Sequence, residues 1–500
     1  MSRLRGLKKI ADLRSPHEWF PLARISPRKI NYHIGPTNSG KTYSALEHLK
    51  KAKTGIYCSP LRLLASEIFE KLNSSGIKCS LITGEEKTII PGATHMSCTM
   101  ESINLDESYD CALIDEIQMI GDQDRGSSWT NALLGLWSPE IHLTGDKRPL
   151  RLIKNLAKIT GDELQTFEYN RLSHLEVCEP VTSIKDLKEG DCIIAFSRKT
   201  CHKLKKIIER KDPGSCAIIY GNLPIETRKE QARKFNEEKS VKYLISTDAV
   251  GMGLNYNISR VIFFDIKKND GSGIRKLRPW EVKQISGRAG RFEKNGLVTA
   301  WSLEDAKFIS QSLIETQLSI ERETVNRAGL FPIYSQISEY AEQLTQNSKD
   351  IVYHKVLQSF EKSAFIEKFY FFQSIDEVCY NSELLWHLHL DFEDQYVFSH
   401  SPLRLTSKYL TRSLGEMAKN LKRKGEVKLI MEFDNTWSLD HLENLHALFE
   451  LYIWLSKNYE PQVFPNYNDV CYQKKIIAEL IEKKLDELPY EDADEIRKAR

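Results

Sequence analysis

Cysteine pairs are missing from this sequence. The chain has ten cysteines in 500 residues and no CxxC pair, and several cysteines stand inside apolar runs such as "CALI" and "CAIIYG". A secreted disulfide framework needs conserved-looking cysteine spacings and an oxidising compartment. We therefore expect these thiols to be reduced core residues of an intracellular protein.

Long apolar runs are also missing. A helix that spans a membrane needs roughly 18 or more consecutive apolar residues, whereas the longest candidate here is the short "LYIWL" at 451–455. We expect no membrane-spanning segment.

The chain lacks an excess of either charge sign. Lys and Arg number 71 and Asp and Glu 69, so net charge does not indicate a polyanion partner, although clustered charge can still form a binding track. The exception is a basic segment predicted over 1–28, since residues 1–30 hold eight Lys or Arg and two acids. It has little serine and no apolar core of a targeting peptide. We expect a cytoplasmic protein, with the mitochondrial matrix as the alternative.

Apolar runs divide the remaining chain into three parts, which 500 residues at 41% hydrophobic content can support. Over 29–172, β-rich runs alternate with helical patterns, which predicts an α/β domain with a parallel sheet covered by helices. Residues 173–325 repeat this alternation and predict a second α/β domain. Helical patterns dominate 326–500, most clearly in "HLENLHALFELYIWLSKNY". The predicted strand runs are "KINYHI", "TGIYCS", "THMSCT", "YDCALI", "IHLTG", "CIIAFS", "CAIIYG", "KYLIST", "RVIFFD" and "LVTAWS".

Residues 35–42 match the phosphate-binding pattern G-x-x-x-x-G-K-S/T, between a predicted strand and a predicted helix. Glycines let backbone N–H groups close around phosphate oxygens, and a helix start adds partial positive charge. Lys41 is expected to reach the β and γ phosphates, and the Thr42 hydroxyl to ligate Mg²⁺. The nucleotide-binding candidates are Gly35, Pro36, Thr37, Asn38, Ser39, Gly40, Lys41 and Thr42.

Two carboxylates end the apolar run "CALIDEIQ". Asp115 is expected to hold Mg²⁺, directly or through water, and Glu116 to orient and deprotonate the attacking water. Adjacent strand residues point to opposite faces, so both roles require the backbone to turn here. A kinase or a switch GTPase could share these parts.

The second α/β domain separates those alternatives, because "QISGRAGR" at 284–291 carries Gln284, Arg288 and Arg291. Arginines at this spacing are suited to one phosphate group, and an arginine that stabilises a transferring phosphoryl group contributes roughly 10³- to 10⁵-fold in turnover. If they lie on a different domain from the P-loop, ATP sits in an inter-domain cleft that hydrolysis opens and closes.

These residues resemble a known family. The ordered motifs "GPTNSGKT", "SPLRLLA", "TGEE", "SCTMES", "DEIQ", "LTGD", "IAFSRK", "IIYGNLP", "STDAVGMGLN" and "QISGRAGRF" resemble the superfamily-two ATP-dependent RNA helicases, and within them the suppressor-of-var family. The resemblance covers nearly the whole chain, including "AGLFP" at 328–332. It implies two RecA-like P-loop helicase domains with parallel sheets, followed by a mostly α-helical C-terminal module.

The resemblance also implies roles for the shorter motifs. Backbone-contacting residues would form a strand track that reads no sequence; they are Pro60, Arg62, Thr83, Gly84, Thr99, Glu101, Ser197, Arg198, Thr247 and Asp248. Gly251 would help bind the nucleotide. Residues that would couple the ATP site to this track are Gln118, Thr144, Gly145 and Asp146. Gln118 departs from the His or Asp that is more usual in the wider superfamily, and agrees with the narrower family.

Three other stretches are weaker candidates. "WHLHLDF" places His387, His389 and Asp391 on one face of an alternating segment, where a polar strand face is a better interpretation than a metal site. "LKRKGEVK" at 421–428 stays unassigned. The basic loop 267–281 contains Trp280, which could stack a base or press on a duplex junction, or the loop could simply be disordered.

The sequence therefore predicts an ATP-dependent RNA helicase with ATP and Mg²⁺ as cofactors. The resemblance implies 3′-to-5′ translocation, activity on DNA duplexes as well, a role in RNA turnover and a 3′-exoribonuclease partner. The alternatives are a DNA helicase, a translocase that remodels nucleoprotein, and a nucleic-acid-binding scaffold with weak ATPase activity.

Overall fold

The computed structural model describes residues 2–251, 255–269, 273–290, 295–319, 324–344, 351–403, 407–429 and 437–486. Within these ranges the chain forms two large sheets, each flanked by helices, and a set of helices that follows them. This confirms the predicted α/β fold class with a helical C-terminal region. None of the described helices combines the length and the apolarity needed to cross a bilayer.

The first part of the chain builds an eight-stranded sheet in the order β4-β3-β5-β2-β6-β7-β1-β8. Its strands are β1 Lys29–Ile34, β2 Gly55–Ser59, β3 Cys79–Ile82, β4 Lys87–Thr88, β5 His95–Thr99, β6 Cys111–Ile114, β7 Glu140–Gly145 and β8 Glu163–Glu168. Its helices are α1 Ser2–Ile10, α2 Lys41–Lys51, α3 Arg62–Ser74, α4 Gly126–Gly135 and α5 Leu150–Thr160. All strand pairs are parallel except β3 with the two-residue edge strand β4. The five predicted runs of this domain are all strands.

The second part builds a six-stranded parallel sheet in the order β11-β12-β10-β13-β16-β9. Its strands, with a separate hairpin of β14 and β15, are β9 Leu175–Val177, β10 Asp191–Ile194, β11 Cys216–Ile219, β12 Tyr243–Ser246, β13 Arg260–Phe263, β14 Lys267–Asn269, β15 Ile274–Lys276 and β16 Gly296–Ala300. Its helices are α6 Arg198–Glu209, α7 Ile225–Glu237, α8 Pro279–Ser286 and α9 Leu303–Ser319.

The remaining elements are mostly helical: β17 Ala328–Leu330, β18 Tyr370–Phe372, α10 Tyr334–Leu344, α11 Tyr353–Ser363, α12 Asp376–Leu385, α13 Phe392–Ser399, α14 Lys408–Lys424, α15 Leu439–Ser456 and α16 Tyr467–Asp486. Their buried residues divide between two cores. Those of 328–379 join the core of the first sheet, while those of 385–485 join the core of the second. The C-terminal helices therefore cover both α/β domains.

Central strands of parallel sheets are normally apolar on both faces, and β6 follows this rule because all four of its residues are buried and apolar. The neighbouring strands β1 and β7 do not. Each carries polar residues on one face, and Asn31, His33 and His142 are all buried there.

Candidate functional site

The predicted P-loop connects β1 to α2 at the carboxyl edge of the first sheet. Its backbone is left-handed at Asn38 (φ 59°) and at Gly40 (φ 79°), which favours glycine at the second position. A Cβ added at Gly35 would lie 2.7 Å from Ser39 Oγ and 2.9 Å from Tyr169 Cβ, so glycine is required there as well. Lys41 is buried and its Nζ donates to the Pro36 carbonyl at 3.2 Å.

The two adjacent acids lie where β6 ends, and the backbone turns between them as their predicted roles require. Glu116 has φ 51°, a left-handed conformation that costs a non-glycine residue of order 1–3 kcal/mol. Asp115 is buried, and its carboxylate accepts hydrogen bonds from Tyr57 Oη at 2.8 Å, from the Glu116 N–H at 3.0 Å and from Thr144 Oγ1. Burial raises the pKa of Glu116, while Lys41 acts in the opposite direction.

Gln118 joins the two motifs that were predicted to couple the ATP site to the strand track. Its Nε2 donates to Glu116 Oε2, and its Oε1 accepts from the Asp146 N–H at 3.3 Å. A Cβ at Gly145 would lie 2.5 Å from Gln118 Oε1, so only glycine lets "DEIQ" and "LTGD" pack this closely. Thr144 bonds to Asp115, as described above, which adds a second link between the motifs.

A cavity of about 340 Å³ opens beside the P-loop and receives side chains from both α/β domains. It is lined by Ile34, Gly35, Pro36, Thr37, Lys41, Glu116, Gln118, Asp146, Lys147, Arg148, Glu168, Tyr169, Asn170, Trp280, Lys283 and Gln284. Gln284 therefore lies in the cleft with Lys41 and Glu116. Asn38, Ser39, Gly40, Thr42 and Asp115 are not among the lining residues.

Trp280 occupies a different place from the one expected. The segment predicted as a basic loop forms the hairpin of β14 and β15 followed by α8. Trp280 stands near the start of α8 and lines the cavity, with the Arg148 guanidinium 4.8 Å from its ring centroid. This cation–π pair joins the two domains at the cavity, so Trp280 belongs to the wall of the cleft, and its contact with a base or a duplex junction stays a prediction.

Arg171, which sequence reasoning missed, is bonded to both domains at the cleft. Its guanidinium donates to the carbonyls of Ser173 (2.8 Å), Thr37 (3.4 Å), Gly287 (2.8 Å) and Ala289. Burial lowers its pKa. Gly287 and Ala289 belong to the "GRAG" segment of the second domain, so Arg171 holds that segment against the P-loop.

The predicted arginines of that segment are placed only in part. Arg288 donates to the Gly251 carbonyl through Nε at 3.1 Å and Nη2 at 2.7 Å. Its guanidinium does not line the cavity. Burial lowers its pKa, and the nearby carboxylates of Glu116 and Asp115 act in the opposite direction. Gly251, predicted as a nucleotide-binding residue, is here the acceptor for Arg288. Arg291 lies outside the described residues.

Several residues of the predicted strand track on the first domain stabilise local structure. Thr83 and Thr99 are buried: the Thr83 hydroxyl accepts the Glu86 N–H at 2.9 Å, and the Thr99 hydroxyl lies 3.0 Å from Ser102 Oγ. Glu101 pairs with Arg125 at 2.8 Å. Arg125 also donates to the Pro60 carbonyl at 2.8 Å.

Arg62, the predicted phosphate contact of the first domain, is enclosed by carboxylates. It pairs with Glu85 and, at 3.3 Å, with Glu450 of α15. Lys474 of α16 lies 3.2 Å from Glu85 and 3.7 Å from Glu450. Gly84 faces the same helices, since a Cβ there would lie 3.4 Å from Trp454.

Arg198, the corresponding arginine of the second domain, pairs with the same helix. It contacts Glu443 and, at 2.8 Å, Asp440, and Tyr220 Oη donates to Glu443 at 2.5 Å. One helix, α15, thus presents carboxylates to both predicted phosphate-binding arginines. Nothing in the local sequence around either arginine indicates these partners, which are 242 to 388 residues away.

The other track residues of the second domain lie near helix starts. Ser197 Oγ accepts the Thr200 N–H and caps α6. Thr247 Oγ1 accepts the Ala249 N–H at 3.3 Å. Asp248 is exposed and pairs with Lys268 of the hairpin at 3.1 Å.

The stretch "WHLHLDF" is not a strand. Trp386–Leu388 forms a 3-10 turn that extends α12, and His389 has φ 48°. The alternation over 386–392 favours a strand, but the chain here continues a helix end, so the polar strand face predicted here is wrong. Among the described residues the histidines that do cluster with a carboxylate are His48 and His142, with Glu140.

Comparison with known proteins gives the family. The description "DEXQ-box helicase domain of Suv3" matches residues 16–169, "Helicase conserved C-terminal domain" matches 174–293, and "ATP-dependent RNA helicase SUV3 C-terminal domain" matches 439–487.

Similar proteins agree with these models, and each of the three below is named mitochondrial. The chain is 40% identical to a DExH-box ATP-dependent RNA helicase of Arabidopsis thaliana, covering 95% of this chain and 84% of that protein. It is 38% identical to the ATP-dependent RNA helicase SUV3 of Oryza sativa subsp. japonica, with 96% and 84% covered. It is also 38% identical to the human ATP-dependent RNA helicase SUPV3L1, of which it spans 60%. The chain therefore belongs to the SUV3 family of ATP-dependent RNA helicases and is an enzyme of the ATPase and helicase class.

Proposed function

We propose that this protein uses ATP hydrolysis in the cleft between its two α/β domains to translocate on single-stranded RNA and unwind duplexes. The observation that carries the proposal is the composition of the cavity wall. Lys41 and Glu116 come from the first domain, and Trp280 and Gln284 from the second. A nucleotide bound there would contact both domains, so its hydrolysis would change their relative position.

The residues of the first domain would perform the chemistry. Lys41, now bonded to Pro36, would turn to the β and γ phosphates. Glu116, held by Gln118, would orient and deprotonate the attacking water. Gln118 also accepts a hydrogen bond from the Asp146 N–H. A movement of Glu116 on loss of the γ-phosphate would therefore be transmitted to the "LTGD" segment through this one side chain.

Mg²⁺ is part of the proposal because the residues present fit it. Asp115 is a buried carboxylate at the same edge of the sheet as the P-loop, with β7 between β6 and β1, and hard cations prefer such oxygen ligands. Asp115 and the Thr42 hydroxyl would hold the ion. When bound, the ion neutralises charge on the β and γ phosphates.

Arg288 would supply positive charge from the second domain. Its guanidinium is half-buried against a neutral carbonyl, and the carboxylates of Glu116 and Asp115 are near enough to affect its pKa. Domain closure would bring it to the γ-phosphate, where preorganised charge stabilises the transition state. Arg291 is proposed for the same role on the sequence pattern alone.

RNA is the proposed polymer because the relatives are named RNA helicases. Arg62 and Arg198 would contact phosphates from the two domains, and the strand would therefore run beside α15, which pairs with both. The 3′-to-5′ direction, a role in RNA turnover and a 3′-exoribonuclease partner are further proposals, and they rest on the family resemblance.

The proposal is tested by unwinding assays on matched RNA and DNA duplexes with 3′ or 5′ overhangs, with Lys41→Ala as the inactive control. We expect ATP-dependent unwinding of RNA duplexes that carry a 3′ overhang. Unwinding only of DNA would favour the DNA helicase. RNA binding without stimulated ATP hydrolysis would favour the scaffold.

The compartment is proposed from the relatives. Their names are mitochondrial, which gives no support to the cytoplasmic location expected from the sequence and favours the mitochondrial matrix. Fractionation of cells that express the tagged chain tests this, and recovery in the cytosol alone would contradict it.

A further inference from the structure

A strip of polar side chains lies in the first domain, apart from the catalytic residues. On β1 the strip contains Asn31 and His33, and on β7 it contains Glu140 and His142. Asn31 lies directly opposite His142 in the parallel register. Helix α2 contributes His48 to the same cluster.

Three of these residues offer ligand atoms to one point. One atom each of His48, Glu140 and His142 lies within 4.8 Å of the others, and His142 Nε2 is 2.9 Å from Glu140 Oε1. A tetrahedral ion with bonds of about 2.0 to 2.2 Å places its ligand atoms about 3.4 Å apart. His48 is exposed and its ring centroid is 4.8 Å from that of His142. A small movement of the His48 side chain would therefore bring its ligand atom to the distance from the other two that a bound ion requires.

The two ligands on β7, the buried His142 and the half-exposed Glu140, already have the outer partners that metal ligands use. His142 Nδ1 is 2.8 Å from His33 Nε2, and Asn31 Nδ2 donates to Glu140 Oε1 at 3.2 Å. Such outer hydrogen bonds fix the tautomer and orientation of metal-binding side chains. A histidine on a solvated surface has no need of them.

We propose that His48, Glu140 and His142 bind a divalent transition metal of the Zn²⁺ class, with water in the fourth position. Two imidazoles and one carboxylate suit such an ion better than Mg²⁺ or Ca²⁺, which prefer oxygen ligands alone. Access to solvent is provided by His48 and by Glu140, whose side chain is 43% exposed.

The protons balance without leaving a buried charge on an imidazole. With the metal on Nε2, a neutral His142 would carry its proton on Nδ1 and donate a hydrogen bond to His33 Nε2. His33 then donates from Nδ1 to Tyr169 Oη, 2.8 Å away, and Tyr169 Oη donates to Ser44 Oγ at 2.9 Å. In the metal-free chain one proton lies between His142 Nε2 and Glu140 Oε1. The metal displaces this proton to solvent past the half-exposed Glu140, and one proton enters from solvent at Ser44, so both imidazoles stay neutral.

The position of the site gives the metal a defined consequence. Ser44 and His48 are both on α2, the helix that begins at Lys41, and Tyr169 lines the nucleotide cavity. A metal bound to His48 and to β7 would tie the second half of α2 to the sheet. It would therefore restrict movement of the P-loop helix.

The test is a titration of the untagged, reduced full chain with Zn²⁺, followed by calorimetry, and with Co²⁺, followed by visible absorption. His48→Gln is the variant, because His48 is exposed and its replacement should not disturb folding. His387→Gln is the matched control, since His387 is also exposed and lies outside the cluster. Glu140→Gln is a second variant on the opposite side of the site. No nucleotide or RNA is present, so the result is independent of the proposed helicase activity.

We expect one metal equivalent that His48→Gln and Glu140→Gln weaken by at least about tenfold, while His387→Gln binds like the wild type. Zn²⁺ should also raise the unfolding temperature of the wild type and of the control but not of His48→Gln. Equal affinity in all four proteins would mean that other groups, such as the half-buried thiols of Cys178 and Cys471, take the metal. That result, or the absence of binding to the wild type, would overturn the proposal.

Discussion

Replacement of Arg171 by alanine should weaken the association of the two α/β domains and thereby ATP hydrolysis. The guanidinium donates to the carbonyls of Gly287 at 2.8 Å and of Ala289, both on the second domain. Each hydrogen bond from a charged donor contributes about 1.5–3 kcal/mol. Two such bonds set an upper limit of about 3–6 kcal/mol, since truncation would leave both carbonyls without this donor.

The observed loss should be smaller than that limit, because Arg171 is only partly buried and water can reach the vacated carbonyls. A loss of about 2–3 kcal/mol in domain closure corresponds to roughly 30- to 160-fold. We expect kcat/KM for RNA-stimulated ATP hydrolysis to fall by about that factor in Arg171→Ala. The kcat/KM of Arg171→Lys should lie between those of the wild type and Arg171→Ala, because an ammonium group retains the charge but cannot reproduce the planar arrangement of donors.

Steady-state ATPase assays measure the effect on ATP hydrolysis, and small-angle X-ray scattering measures the effect on the association of the two domains. Arg233→Ala is the control, because it removes an exposed guanidinium from α7 whose partners are the nearby Glu230, Glu237 and Glu238. It should leave kcat/KM unchanged. A wild-type kcat/KM and an unchanged radius of gyration in Arg171→Ala would refute the reasoning.

The catalytic assignments give further expectations. Lys41→Ala should abolish ATP hydrolysis and weaken nucleotide binding, whereas Glu116→Gln should bind ATP and turn over very slowly; normal rates in both would contradict the site. Because burial raises the pKa of Glu116, this base should become protonated at a higher pH than an ordinary glutamate, so the acid limb of the kcat/KM profile should be shifted upward; an acid limb at the ordinary glutamate pKa would argue against it. Arg288→Ala should reduce turnover more than ATP affinity, and a change in affinity alone would make it a binding residue. Arg198→Ala should remove one phosphate contact and flatten the salt dependence of single-strand binding by about 0.7 in log–log slope; an unchanged slope would separate Arg198 from the track.

Local sequence indicated the candidate nucleotide site, because the parts of that site are short and contiguous. The P-loop requires only a strand, a glycine-containing turn and a helix in order, and the turn at Glu116 follows from two adjacent acids that must face different ways. Arg171 carries no such signal. Its acceptors include carbonyls 116 and 118 residues further along the chain. Every residue has a main-chain carbonyl, so the sequence does not show which ones a distant arginine will contact.

Trp280 and the "WHLHLDF" stretch show two other limits of sequence reasoning. An aromatic residue in a basic segment is typical of nucleic acid binding, but the hairpin and α8 turn Trp280 toward the nucleotide cavity. The seven alternating residues 386–392 favour a strand by their pattern, but the structure places them at the end of one helix and the start of the next. In each case tertiary position decided the outcome.

The acidic face of α15 changes how the two track arginines should be understood. Arg62 and Arg198 lie on different α/β domains, yet each is paired with a carboxylate of this one helix, Glu450 and Glu443 respectively. A buried carboxylate that loses its partner is costly, so a phosphate that displaces either arginine must leave that acid with another donor. Lys474 is placed to serve Glu450, at 3.7 Å, and Tyr220 already donates to Glu443. In the proposed complex the arginines would therefore exchange carboxylate for phosphate at a cost smaller than the loss of an ion pair, because each acid of α15 would retain a second donor.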